Sequence, residues 1–209
     1  ELSRHTDSSS MEILAEAAKS SDLMVARFAL DLIRDSGRDD AAETLLNAIN
    51  SFNEAVLPYV IDTLTGMGCP NLFPAVEPFL NSEDSSVRCA AVRAVTAAGE
   101  IDGYRLIQPY LNDPDLTVRE EVIGALYLSG NEKRSALAGE AIAALKESDQ
   151  QQDIITAVRI MGISCNVSFV ADLKQFLNST DRLVIQIAVE SLGKLQSEEA
   201  ISSLFTLLN

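Results

Sequence analysis

The chain repeats itself at a spacing of 31 residues, and that period restricts it to a stack of closely similar helical units. An acidic or amide residue closing a short polar turn stands at Asp22, Asn53, Asp84 and Asp115, returns at Asp149 or Gln150, and stands again at Asp181. The fourth step is longer by three or four residues, about one helical turn, which places an insertion near 131–138. Other positions keep the same phase. Three residues after each anchor come Val25, Val56, Val87, Val118 and Val184; eight after come Leu30, Ile61, Val92, Ile123 and Val189; eleven after come Ile33, Leu64, Val95, Leu126 and Leu192. Those offsets share one face of a helix and do not share a strand face. Gly37, Gly68, Gly99 and Gly130 stand fifteen after the anchor. A glycine there ends a helix in the left-handed conformation without a Cβ penalty. At the other end, the anchor side chain accepts from the free N–H groups that open the helix.

Each unit therefore holds a helix A, a polar turn, and a helix B that runs from anchor to glycine. Helices A are expected at 11–19, 40–50, 72–80, 101–111, 132–147, 167–177 and 197–208, and helices B at 22–35, 53–67, 84–98, 115–129, 150–163 and 181–195. Pro78 and Pro109 sit at equivalent places late in their A helices, where a missing N–H should bend the helix. Residues 1–10 read as a polar linker. No composition break divides the rest, so 11–209 is expected to be one repeat domain, with units 11–37, 38–68, 69–99, 100–130, 131–164, 165–196 and a partial 197–209. Aromatics are 5% of the chain and Trp is absent, so the core is built from the small aliphatic side chains that closely packed helices use.

Two turns carry a resemblance. The stretch Asn112-Asp113-Pro114-Asp115-Leu116-Thr117-Val118-Arg119, followed by Ala125, Leu126 and Gly130, resembles a HEAT-like repeat of the short, phycobilisome-lyase type. The stretch Asn81-Ser82-Glu83-Asp84-Ser85-Ser86-Val87-Arg88, with Ala91, Val95 and Gly99, is similar. Elsewhere the Arg after the Val is replaced by Ala26, Leu57 and Ile185. The resemblance implies an all-α, right-handed solenoid of antiparallel helix pairs, about six and a half repeats long, with the B helices lining its inner curve. It also implies that Asp84, Arg88, Asp115 and Arg119 are structural, the arginines bridging to turn aspartates of neighbouring units.

Chemistry has little to work with in this sequence. The single histidine, His5, lies in the polar tail, which leaves no Ser/His or Cys/His pair for nucleophilic catalysis. The glycines mark helix ends and form no phosphate-binding loop. Neighbouring carboxylates such as Asp39-Asp40, Glu120-Glu121 and Glu198-Glu199 diverge on a helix or sit at helix starts. Cys69, Cys89 and Cys165 are widely spaced, with no CxxC, so neither a disulfide framework nor a zinc site is expected, and the thiols point to a reducing, cytoplasmic setting. A formal charge of −15 sets the chain against phosphate backbones and anionic lipid. No enzymatic activity and no cofactor are expected.

Binding is the better expectation. Offsets 5, 9 and 12 of the B helices point away from the aliphatic stripe, and there stand Arg27, Asp31, Asp62, Arg93, Glu120, Tyr127, Arg159 and Glu190, with Arg34, Thr65, Cys89, Thr96, Gln186 and Lys194 alongside. Stacked in register they would form a mixed-charge strip with the Arg and Tyr content that recognition surfaces favour. The expected function is a protein–protein interaction scaffold, a soluble module of a larger protein. The resemblance implies two alternatives, a regulatory appendage of a membrane transporter or signalling protein and a chromophore lyase. The chain starts at Glu1 and its last A helix lacks a B partner, so it is expected to be a piece of a longer chain and to self-associate through its C-terminal helix.

Overall fold

The computed structural model describes residues 8–38, 40–97 and 101–206. All regular structure among them is helical, so the protein is all-α. In chain order the α-helices are α1 (Ser8–Ala17), α2 (Leu23–Asp35), α3 (Ala41–Asn47), α4 (Leu57–Gly66), α5 (Leu72–Val76), α6 (Ser85–Ala97), α7 (Ile101–Ile107), α8 (Leu116–Leu128), α9 (Glu132–Lys146), α10 (Gln151–Ile163), α11 (Val170–Phe176), α12 (Arg182–Leu195) and α13 (Glu198–Thr206). Even-numbered helices up to α8, together with α10 and α12, are the B helices. α1 begins at Ser8, so the last three residues of the expected linker are helical. His5, Asp39, Gly99 and Leu207 lie outside the described residues.

The turns explain why the helices start where they do. Asp22 accepts from the backbone N–H groups of Met24 and Val25, Asp115 from that of Thr117, and Asp181 from those of Leu183 and Val184. Asp84 accepts from the N–H of Ser86 at 2.8 Å and from its hydroxyl, and these bonds hold its carboxyl below the ordinary carboxylate range. Of the two candidates for the fifth anchor, Gln150 occupies the cap, without a side-chain capping bond. A second recurrent element was not foreseen. Two residues before the anchor, Ser20, Ser82, Asp113, Ser148 and Ser179 each accept from the anchor's own N–H through a side-chain oxygen. The turn is thus locked from both sides by short polar side chains.

At the other end of helix B the backbone turns left-handed at Gly37, Gly68 and Gly130, with φ of 62°, 63° and 67°. The fifth and sixth units lack the glycine, yet Cys165 and Gln196 stand there with φ of 52° and 48°. The repeat geometry imposes this conformation whatever residue the sequence supplies. The A helices end tightly. At Glu77–Asn81 and Gln108–Asn112 the chain winds as a 3-10 helix with Pro78 and Pro109 near its start, and at Ile49–Ser51 it does so without a proline. The expected bend is therefore a change of helix type, which the prolines accommodate. The long A helix α9, fifteen residues of uninterrupted α-helix, absorbs the insertion.

The chain gathers into two compact units, Glu1–Pro109 and Tyr110–Asn209. In the first, α2 packs on α4 and α4 on α6, with α1, α3, α5 and α7 filling in beside them. In the second, α8, α10 and α12 pack in sequence, α9 lies against α8 and α10, and α11 and α13 lie against α12. The stripe residues are core: Ile61, Leu64, Val87, Val92, Val95, Val118 and Leu126 have no exposed surface. Val25 departs from the pattern and is 46% exposed, because none of the described helices covers that side of α2, where Met24 and Phe28 are exposed as well. On α13, Ala200 and Ser203 are buried while Ile201 and Phe205 are exposed. Two helices approach closely at Gly162, where an added Cβ would lie 2.5 Å from Cβ of Ser191. Ser191 donates to the Val158 carbonyl at 3.0 Å across the same seam.

Candidate functional site

Where B helices pack side by side, outward positions pair from one repeat to the next. In the first unit the Arg27 guanidinium lies 4.7 Å from the centre of the Tyr59 ring. One turn further along, Arg93 forks onto Asp62, with Nε to Oδ1 at 3.0 Å and Nη2 to Oδ2 at 2.9 Å. On α2 itself Arg34 sits between Asp31 and Asp35, each at 3.0 Å, and both carboxylates raise its pKa, Asp35 more than Asp31. Between α2 and α4 these side chains line a shallow groove of about 210 Å³, bounded by Arg27, Asp31, Arg34, Tyr59 and Asp62.

The second unit follows the same rule. Arg159 donates to Glu120 at 2.8 Å, again from one B helix to the next. The Tyr127 hydroxyl takes a hydrogen bond from the Asn166 amide, and its ring lies 5.6 Å from that of Phe169. Glu190 accepts from Gln186 one helical turn back at 2.9 Å. Of the wider strip, Cys89 is buried, contrary to expectation. Tyr59, Asn166 and Phe169 were missed, since an outward residue's partner lies one repeat away and only the register of adjacent helices identifies it.

The four turn residues have distinct environments. Asp84 and Asp115 cap their helices, as described. Arg88 is buried and donates from Nη1 to the carbonyls of Ser82 at 2.8 Å and Glu83 at 3.0 Å, in its own turn. Arg119 occupies the same place in the next repeat but reaches forward to Asp153, with Nη2 to Oδ1 at 3.5 Å. Among the described residues no cluster of His, Cys, Asp and Glu is arranged to hold a metal ion, and no helix is long and apolar enough to cross a membrane. Cys69 is buried, which pushes its thiol pKa up and away from reactivity.

The comparisons agree with this architecture. The family model for HEAT repeats matches residues 42–126. No curated protein matches the sequence. Among solved structures, the complex of CpcE and CpcF of phycocyanin lyase from Nostoc sp. PCC7120 is similar with a TM-score of 0.56 at 19% identity, over 97% of this chain and 82% of that one. Human deoxyhypusine hydroxylase is matched with a TM-score of 0.45 at 14% identity, over 96% of this chain and 90% of its own. A designed armadillo repeat protein in complex with the peptide (KR)4 is matched with a TM-score of 0.44 at 15% identity, over 89% and 99%. The likeness to the phycocyanin lyase complex is one of fold. The match over 42–126 makes that segment HEAT-like, and the capped 31-residue helix pairs with their buried aliphatic stripe extend the same likeness along the described chain.

Proposed function

We propose that the chain is a non-catalytic protein-interaction scaffold that binds its partner through the outward faces of the B helices. The observation that carries this reading is the groove between α2 and α4, where Arg27 stacked on Tyr59 stands between the carboxylates of Asp31 and Asp62. An Arg over a Tyr is a rigid, amphipathic contact of the kind that dominates interface energies. Its guanidinium has no carboxylate within ion-pair distance among the described residues, so it can take one from a partner. Arg93 and Arg159 are already matched by Asp62 and Glu120 and serve to hold the surface in shape. A net charge of −15 steers the choice toward a partner with basic surface around a small acidic contact, and away from nucleic acid.

The test compares Arg27→Ala and Tyr59→Ala with Glu43→Ala and Lys174→Ala on A helices, measured as affinity for a partner identified by crosslinking. The first pair should each weaken binding by about 1–3 kcal/mol, while the second pair changes it little. Equal effects on both faces would refute the assignment. The wider expectation, a module of a larger protein, is tested by the gene that encodes the chain.

A further inference from the structure

Arg119 is held differently from its counterpart one repeat earlier. Arg88 donates twice to turn carbonyls at normal distances, whereas among the described residues the Arg119 side chain has only the 3.5 Å contact to Asp153. Its Nε is buried and has no hydrogen-bond partner among the described residues. Leaving that buried N–H without a partner is costly. The side chain lies in the wall of a cavity of about 320 Å³ between α8, α9 and α10. α9 runs straight past this point, and one of its faces supplies Leu137, Ala141 and Leu145 as an apolar wall, with Ile123 of α8 opposite. The Glu140 carboxylate stands at the exposed rim, with no hydrogen bond or ion pair among the described residues. Asp153, by contrast, is committed, accepting from Ser148 at 2.7 Å as well as from Arg119.

The cavity is therefore bordered by a guanidinium held through one long side-chain hydrogen bond, one uncommitted carboxylate and an aliphatic surface. A ligand that is a net anion would meet Glu140, Asp153 and the overall negative charge of the chain, and a net cation would leave Arg119 unsatisfied. We propose that this cavity binds an apolar α-amino acid as its zwitterion, with the carboxylate on Arg119, the ammonium at Glu140 and the side chain against Leu137, Ala141 and Leu145. An aliphatic wall with a few convergent polar groups suits a small amphiphilic ligand, and a carboxylate on an arginine is the strongest of the available pairings. The site is separate from the groove between α2 and α4 and does not depend on the scaffold reading.

The experiment is an NMR titration of the full chain with L-leucine, alongside 4-methylpentanoate, which lacks the ammonium, and isopentylamine, which lacks the carboxylate. Leucine should produce saturable shifts at Arg119 Nε and along the α9 amides, and each analogue should bind at least ~10-fold more weakly. Arg119→Met, which removes the donors at similar volume, should abolish the response, as should Ala141→Leu, which fills the cavity from a different helix; Glu140→Gln should weaken leucine and leave 4-methylpentanoate unchanged. Circular dichroism establishes that each variant is folded, and should Arg119→Met fail to fold, the other two decide. Leucine binding no tighter than its analogues, retained binding in the folded variants, or no saturable shift with any probe would overturn the proposal.

Discussion

The left-handed position that closes each B helix allows a test with opposite signs at equivalent places. Gly130 has φ of 67°, and a Cβ built there meets nothing within 4 Å, so Gly130→Ala introduces no clash. Its cost is conformational alone: a non-glycine residue in this region is disfavoured by about 1–2 kcal/mol, against about 0.5–1 kcal/mol returned because alanine has less freedom to lose from the unfolded chain. The net expectation is a destabilisation of about 0.5–1 kcal/mol. Cys165 occupies the same position with φ of 52°, and its side chain is exposed, so removing it forfeits little burial. Cys165→Gly should therefore stabilise by about the same amount, through the same two effects with signs reversed. Gln196→Gly, starting from φ of 48°, should behave likewise. Urea unfolding reads both directions as shifts of the midpoint at constant slope. A destabilising Cys165→Gly, or a neutral Gly130→Ala, would refute the claim that the repeat imposes the left-handed turn whatever residue stands there.

Three further outcomes follow from particular contacts. Gly162→Ala would place a Cβ 2.5 Å from Cβ and 2.7 Å from Cα of Ser191, and should cost about 1–3 kcal/mol in thermal or urea unfolding; Ser191→Ala should not rescue it, because both clashing carbons remain. Asp84→Ala should cost about 1 kcal/mol as a lost cap. Because the hydrogen bonds from Ser86 depress the folded-state pKa of Asp84, its contribution is complete above the ordinary carboxylate range and is lost as pH falls through the folded value. Asp84→Asn should therefore flatten that part of the acid limb of a stability–pH curve. A double-mutant cycle on Asp62 and Arg93, whose side chains are 44% and 39% exposed, should give a coupling below about 1 kcal/mol that shrinks in high salt.

Much of this protein is legible in the sequence because each helix pair repeats the same local physics. A cap that accepts from free N–H groups, an aliphatic stripe at helical spacing and a left-handed terminus are all properties of short segments, and the phase of 31 residues assembles them. That local logic located Asp22, Asp115 and Asp181 as caps and placed Ile61, Leu64, Val95 and Leu126 in the core. It also marked the insertion that α9 absorbs. The serines two residues before the anchors were equally visible, but their role depends on a turn closing back on its own N–H.

What only the tertiary structure decided is how one repeat meets the next. The partners of Arg27, Arg93 and Arg159 lie 31 to 39 residues away in the chain, so nothing local names them. Val25 and Val87 look alike in sequence, yet one is exposed and the other buried, because burial requires a neighbouring helix on that side. Arg88 and Arg119 hold the same place in the same motif, and they differ because a guanidinium takes whichever acceptors the surrounding helices leave within reach. For Arg88 those include the carbonyls of its own turn; for Arg119 they include Asp153 of the next B helix, beside a cavity.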